Sequence, residues 1–189
     1  MRSAIGAALP DELVLDRESS STASCERMEQ TVTEVFVMLR DPVYRYLSSM
    51  LHNSAEAEDL TQEAFLRLFT DVRRGRRVGN VRRWVFRVAH NLGIDLIRRR
   101  QADDRTAPVQ YSVYDLSPSA EESLIEKENS SMRNAVLDRL SVQERLCFEL
   151  RAEGLRYREI AEVLALRIPT VQTLLGRAVK KISGGCHEL

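Results

Sequence analysis

The stretch YREIAEVLALRIPTVQTLLGRA, residues 157–178, decides the fold. Tyr157, Ile160, Ala161 and Leu164 stand at offsets i, i+3, i+4 and i+7, and Val171, Leu174, Leu175 and Ala178 repeat that spacing. Each set makes one apolar face of a helix. Only residues 165–168 separate the two, which suits a tight crossing of short helices over Tyr157–Leu164 and Pro169–Ile182. Such a pair is a helix-turn-helix, whose second helix can enter a major groove with its N-terminal residues on base edges. Thr170, Gln172, Thr173 and Arg177 are the outward side chains. A purely structural helical hairpin has the same pattern, so the rest of the chain has to decide between them.

Moving outward, Ser141 with Glu144 forms a capping box for a helix through about Ala152, which Gly154 ends. Ser117–Pro118 is a helix start, proline standing in the first turn, with the helix continuing to Leu140. Residues 101–117 hold Pro108, Ser112, Ser117 and several acids without a sustained period, and read as a linker whose far edge extends to about residue 133. Before it, a helix over about Val81–Arg100 buries Val81, Trp84, Val85, Val88 and Leu92, preceded by a loop punctuated by Gly75, Gly79 and Asn80. Asn53 with Glu56 resembles a second capping box, opening a helix through about Phe69. Val32, Val35, Phe36 and Leu39 form a stripe that Asp41–Pro42 interrupts, and Val43, Tyr46, Leu47 and Met50 form another after the break. The first thirty residues end in a polar run, Ser19 to Glu29, and read as a mobile arm.

No sustained strand alternation is found, so the fold class is all-α: two small helical bundles joined by a flexible linker, the C-terminal one a helix-turn-helix domain. The expected boundaries are an arm at 1–31, a first domain at 32–100, a linker at 101–117, the helix-turn-helix domain at 118–183 and a tail at 184–189.

The 189 residues carry 28 Lys+Arg against 28 Asp+Glu, and this zero conceals a strong asymmetry. Residues 71–100 hold 10 basic and 2 acidic groups, a net of +8, whereas residues 32–70 hold 3 and 6, and residues 101–133 hold 3 and 7. A dense cationic patch between acidic flanks is a footprint for a polyanion. The patch is arginine almost throughout: Arg73, Arg74, Arg76, Arg77, Arg82, Arg83, Arg87, Arg98, Arg99 and Arg100. Arginine's planar fork holds phosphate at two points. Arg83 and Arg87 stand one turn apart, and His90 and Asn91 continue that face. Trp84 reads as core and Phe86 as aromatic surface among the charges. Phosphates fall to the arginines, and Asn91 or an aromatic can address an exposed base.

On the helix before the patch, Asp59, Glu63 and Arg67 fall four apart on one outer stripe with Gln62 beside them, while Leu60, Ala64, Phe65 and Leu68 face a core. The stripe is either a solvated face or a docking face whose mixed charges set register on a partner helix.

Other function classes find little support. No apolar run approaches the ~20 residues a bilayer needs, and the run Ala4–Leu9 is too short and wrongly flanked for a secretory signal. Cys25, Cys147 and Cys186 make neither a disulfide framework nor a zinc pattern, and the Cys186–His187 pair reads as tail. His52, His90 and His187 are scattered, with no paired-carboxylate metal site, glycine-rich phosphate loop or activated nucleophile. The expectation is a cytoplasmic protein that is no enzyme, with no catalytic residue, metal or cofactor and no membrane insertion.

The three constellations in this order resemble an extracytoplasmic-function sigma factor of bacterial RNA polymerase. The resemblance covers about residues 32–100 and 134–182. The family's Asp-x-x-Gln-Glu-x-Phe-x-Arg helix, which grips the polymerase clamp helices, reads here Asp59, Gln62, Glu63, Phe65 and Arg67. Its minus-ten region reads here Trp84, Ala89, Asn91, Asp95, Arg98 and Arg99. Its minus-thirty-five helix-turn-helix reads Glu159-Ile160-Ala161, Thr170-Val171 and Arg177-Ala178, to which Arg158 and Lys180 add charge. The resemblance implies core RNA polymerase and promoter DNA, duplex and melted, as partners, with an anti-sigma factor as a further one. Two departures stand out. The family usually has Gly where Ala165 stands and Ser where Arg167 stands, and often basic residues where Gln172 and Leu174 sit. A helix-turn-helix regulator that never touches polymerase explains residues 157–178 equally well but leaves the Asp59–Arg67 stripe without a purpose.

Overall fold

The computed structural model describes residues 21–103, 137 and 139–185, which form six helices and no strand. They are α1 (Ser21–Leu51), α2 (Ser54–Arg73), α3 (Val81–Asp103), α4 (Val142–Ala152), α5 (Tyr157–Val163) and α6 (Ile168–Gly185). The first three pack on one another, as do the last three. Most of the helix expected from Ser117 to Leu140, most of the linker and the first part of the arm lie outside the described residues.

Helix α1 corrects two expectations. It begins at Ser21, inside the stretch read as a mobile arm, and it runs through Pro42 without a break. A proline inside a helix removes one hydrogen bond and costs roughly 3 kcal/mol. The apolar register outweighs that loss here. Val32, Val35, Leu39, Val43, Tyr46, Leu47 and Met50 are all buried, and their spacing passes through position 42 without changing phase. Burial of a large apolar side chain is worth about 1.5–3 kcal/mol, so several in phase on one face exceed the cost of one proline.

His52, with φ 52°, and Asn53 turn the chain into α2. The Asn53 side chain accepts from the Glu56 amide at 3.2 Å, half of the expected capping box. The Glu56 carboxylate turns instead to Arg100 of α3. Helix α2 runs four residues past Phe69 because Val72 continues its buried stripe of Ala57, Thr61, Ala64, Phe65 and Leu68. Asn80 then caps α3, its side-chain oxygen accepting from the Arg83 amide at 2.9 Å.

The buried face of α3 also differs from the expected one. Phe86 is fully buried and packs edge-on against Tyr46, at 5.6 Å between ring centroids, whereas Trp84 is only half-buried. The face runs through Val81, Val85, Ala89, Gly93 and Ile97, flanked by Phe86 and His90. Its centre consists of small residues. A Cβ on Gly93 would stand 2.9 Å from the Met50 sulfur, so α3 and α1 approach closely there.

The second bundle follows its sequence signals closely. Ser141 and Glu144 form the complete capping box of α4. Gly154, at φ 88°, closes the helix, with the Leu155 amide donating to the Leu150 carbonyl at 3.1 Å. Helix α1 packs on α4 and α3 packs on α5, so the two bundles meet directly, and residues of both belong to one contiguous apolar core.

Candidate functional site

The stripe on α2 stands where its spacing placed it. With the apolar face turned inward, Asp59, Gln62 and Arg67 are exposed and Glu63 is half-buried. The Arg67 Nε donates to a Glu63 carboxylate oxygen at 2.7 Å, one turn back, so the two charges fix each other's position. Phe65 lies beneath the stripe, buried and edge-on to Phe36 of α1 at 5.0 Å. Sequence reasoning missed Leu66, which is 60% exposed in the same outer face. The available signal was its position one residue off the buried stripe. Leu66, Gln62 and Phe65 line a groove of about 330 Å³ with Val32, Thr33 and Phe36. Apolar surface rimmed by charges is the composition of a protein-docking face.

The arginines divide into two groups. Arg73, Arg74, Arg76 and Arg77 are exposed around the end of α2, and Arg87, Asn91, Arg98 and Arg99 are exposed along α3. Arg76 pairs with Asp71 at 3.2 Å, and Arg98 lies 3.9 Å from Asp95. Arg82 and Arg83 are half-buried against the second bundle, where they meet Glu153 at 3.5 Å and Glu162 at 3.0 Å.

His90, expected on the arginine face, is buried instead, its Nδ1 2.8 Å from the Tyr46 hydroxyl. It follows Phe86 by one turn and therefore shares its inward direction. Burial lowers the imidazole pKa to about 4. The Tyr46 hydroxyl is pushed well above its ordinary range by burial and then by Glu149 and Cys147. A neutral imidazole thus faces a neutral phenol, and His90 offers no cation to a phosphate.

Around the contact between the bundles, Glu149 of α4 is half-buried and its pKa is raised by that partial burial, although Ser49 donates to it at 2.7 Å and Arg145 at 3.2 Å. Burial also pushes the Cys147 thiol up to about 12, which keeps it protonated and unreactive. Burial alone would raise Glu144, but hydrogen bonds from Lys181, at 2.6 Å, and from Ser141 outweigh it and hold the carboxyl low. Among the described residues, no group of three or more His, Cys, Asp or Glu is placed to hold a metal ion. None of the described helices is long and apolar enough to cross a membrane.

In the helix-turn-helix, the Leu164 amide donates to the Ile160 carbonyl and the Leu166 amide to the Ala161 carbonyl, each at 2.9 Å. The residue between, Ala165, has φ 52°, in the left-handed region where a helix normally ends on glycine. Thr170, Gln172, Thr173, Arg177 and Lys180 of α6 and Arg158 of α5 are all exposed. The Thr173 hydroxyl is engaged by its own helix, donating to the Pro169 carbonyl at 3.0 Å. Leu174 is 7% exposed and turns into the core, so its position contributes packing rather than a contact to DNA.

Two family models match the chain: sigma-70 region 2 over residues 35–102, and sigma-70, region 4 over residues 134–182. The ECF RNA polymerase sigma factor SigE of Mycolicibacterium smegmatis is 32% identical over 145 residues, 75% of this chain and 56% of that protein. The ECF RNA polymerase sigma factor BldN of Streptomyces coelicolor is 33% identical over 150 residues, 76% of this chain and 55% of its own length. The chain thus spans about half the length of these curated relatives. Among solved structures, the sigma factor RpoE in complex with the anti-sigma factor NepR from Bartonella quintana matches with a TM-score of 0.57. That match has 20% identity and covers 80% of this chain and 94% of the other. CnrH in complex with the cytosolic domain of CnrY matches with a TM-score of 0.55 at 18% identity, covering 86% and 94%. These two likenesses support the fold.

Proposed function

Because this chain belongs to the extracytoplasmic-function sigma factors, we propose that it binds core RNA polymerase and directs it to promoters, where transcription starts. The observation that carries this reading is the coexistence, in the family's order, of an exposed mixed-charge stripe on α2 and an exposed outer face on α6. A regulator reading duplex DNA alone has use for the second and none for the first.

In this reading Asp59, Gln62, Glu63 and Arg67 set register on the core enzyme, and Leu66 adds apolar contact at the centre of the face. Phe65 acts from below by holding α2 against Phe36. Arg73, Arg74, Arg76, Arg77, Arg87, Arg98 and Arg99 meet phosphates of the minus-ten region, with Asn91 beside them for a base of the melted strand. Arg82 and Arg83 join once released from the acids of the second bundle. Thr170, Gln172 and Arg177 face the minus-thirty-five duplex, and Arg158 and Lys180 steady the docked domain on phosphates. The linker tethers the two readers, so the second contact becomes intramolecular once the first is made. No catalytic step falls to this chain, the site of action is the cytoplasm, and an anti-sigma protein is a fitting further partner.

The test is association with purified core polymerase, measured by fluorescence anisotropy of the labelled chain. Glu63→Lys breaks the ion pair and reverses a charge on the docking face, and it lowers affinity on the order of tenfold or more. Equal binding by this variant and the wild type contradicts the assignment of the stripe.

A further inference from the structure

Gly176 has no explanation inside the fold. It lies within α6 on an ordinary right-handed backbone, and a Cβ placed on it would meet nothing within 4 Å. Gly93 of α3 is the contrast, since a Cβ there would stand 2.9 Å from the Met50 sulfur. Glycine inside a helix is destabilising relative to alanine, so at position 176 the chain carries a cost that no internal contact offsets. The open space serves a body outside the chain, because glycine allows another molecule to approach the helix backbone closely.

Gly176 is exposed, opposite the buried Val171, Leu175 and Ala178, and Gln172 and Arg177 stand on either side of it. The Gln172 carboxamide can donate to N7 and accept from N6 of adenine, as arginine donates to N7 and O6 of guanine. Thr173 gives its hydroxyl to the Pro169 carbonyl at 3.0 Å, which leaves its methyl as a contact for the thymine methyl. Leu174 is turned into the core and adds no competing reader. The glutamine also accounts for the glycine. A carboxamide ends nearer its own backbone than a guanidinium does, so a helix that reads with glutamine has to lie nearer the bases.

We infer that Gln172 selects adenine in the minus-thirty-five duplex, and that Gly176 positions it by letting α6 lie close against the base edges. The inference rests on the promoter reading proposed above and adds the base that this surface takes. Gln172 is the specificity-determining residue, and Gly176 acts through it.

The experiment uses the full chain bound to core RNA polymerase, on promoter fragments randomised across the minus-thirty-five element. Sequenced transcripts give the base preference at each position. The wild type is expected to enrich adenine at one position on the order of tenfold over other bases. Gln172→Arg is expected to move that single preference to guanine, and Gln172→Ala to abolish it while the other positions keep theirs. Gly176→Ala is expected to raise the urea midpoint of the free chain, alanine being the better helix former, and yet to lower the adenine preference several-fold. Gly176→Leu, with a larger side chain in the approach, is expected to lower it to the level of Gln172→Ala. A glycine with a merely structural role would move stability and leave the base preference alone.

A profile in which no position responds to Gln172→Arg overturns the base assignment. Wild-type preferences in Gly176→Leu overturn the close approach. Transcription by the wild type separates the inference from its premise. If the wild type starts from no fragment, the promoter reading fails and the inference falls with it. If it starts from many and adenine is enriched at no position, the inference alone falls.

Discussion

Single residues show where pattern stops being informative. His90 follows Arg87 in sequence and sits among charges, so a periodic reading placed it on the cationic face. The structure buries it against Tyr46 because the inward face of α3 is centred on Ala89 and Gly93, small residues with a weak apolar signal. The same displacement turns Phe86 fully into the core and leaves Trp84 packed at its edge. Burial has a consequence for pH. The imidazole stays neutral in the folded protein down to about pH 4, whereas the unfolded chain takes up the proton near its ordinary value of 6.5. Between those values the unfolded state binds more protons, so folding stability contributed by His90 falls as pH is lowered, by up to about 1.4 kcal/mol per pH unit. Glu149, raised by burial, works in the opposite direction, so the contribution is isolated by comparison with a variant. Urea unfolding of His90→Gln should show a flatter loss of stability between pH 6.5 and about 4 than the wild type. Parallel curves for the two proteins would remove His90 as the origin.

At the scale of elements, helix ends are legible where a cap is built from neighbouring residues, although the Asn53–Glu56 box forms only by half. The Ser141–Glu144 box, the Gly154 stop and the helix-turn-helix spacing are all realised. Local rules fail at α1, where Pro42 and a polar N-terminal run argue for interruption and arm. At Pro42, packing of the in-phase stripe from Val32 to Met50 prevails over propensity, and that stripe is visible only when the two halves of α1 are joined. The turn between α5 and α6 presents the opposite case. The departure from the family at Ala165 meets a backbone with φ 52°, so a side chain sits where glycine is favoured. Ala165→Gly relieves a left-handed penalty of roughly 1–2 kcal/mol and loses part of it to the greater freedom of unfolded glycine. A net stabilisation of about 1 kcal/mol is expected from the urea midpoint at unchanged slope. A midpoint that stays put or falls would show that the strain is absorbed elsewhere.

For the whole molecule, the balance of 28 basic against 28 acidic groups acquires a meaning that composition alone does not give. The two all-α bundles and the order of their surfaces follow from periodicity and charge segregation along the chain. Their contact does not, because Arg82–Glu153 and Arg83–Glu162 pair residues more than seventy positions apart, and no local pattern encodes such a distance. The stripe proposed to dock on the core enzyme is likewise only half legible. Its charges follow from four-residue spacing, while Leu66 and the groove beside it depend on how α2 is rotated against α1. All of these surfaces serve one claim, that the chain gives a core polymerase its promoter choice. The most direct measurement is transcription from a library of promoter fragments by purified core polymerase, with and without this protein, read as mapped start sites. Start sites are expected that appear only when the protein is added and vanish with Glu63→Lys. Start sites identical with and without the protein would contradict it.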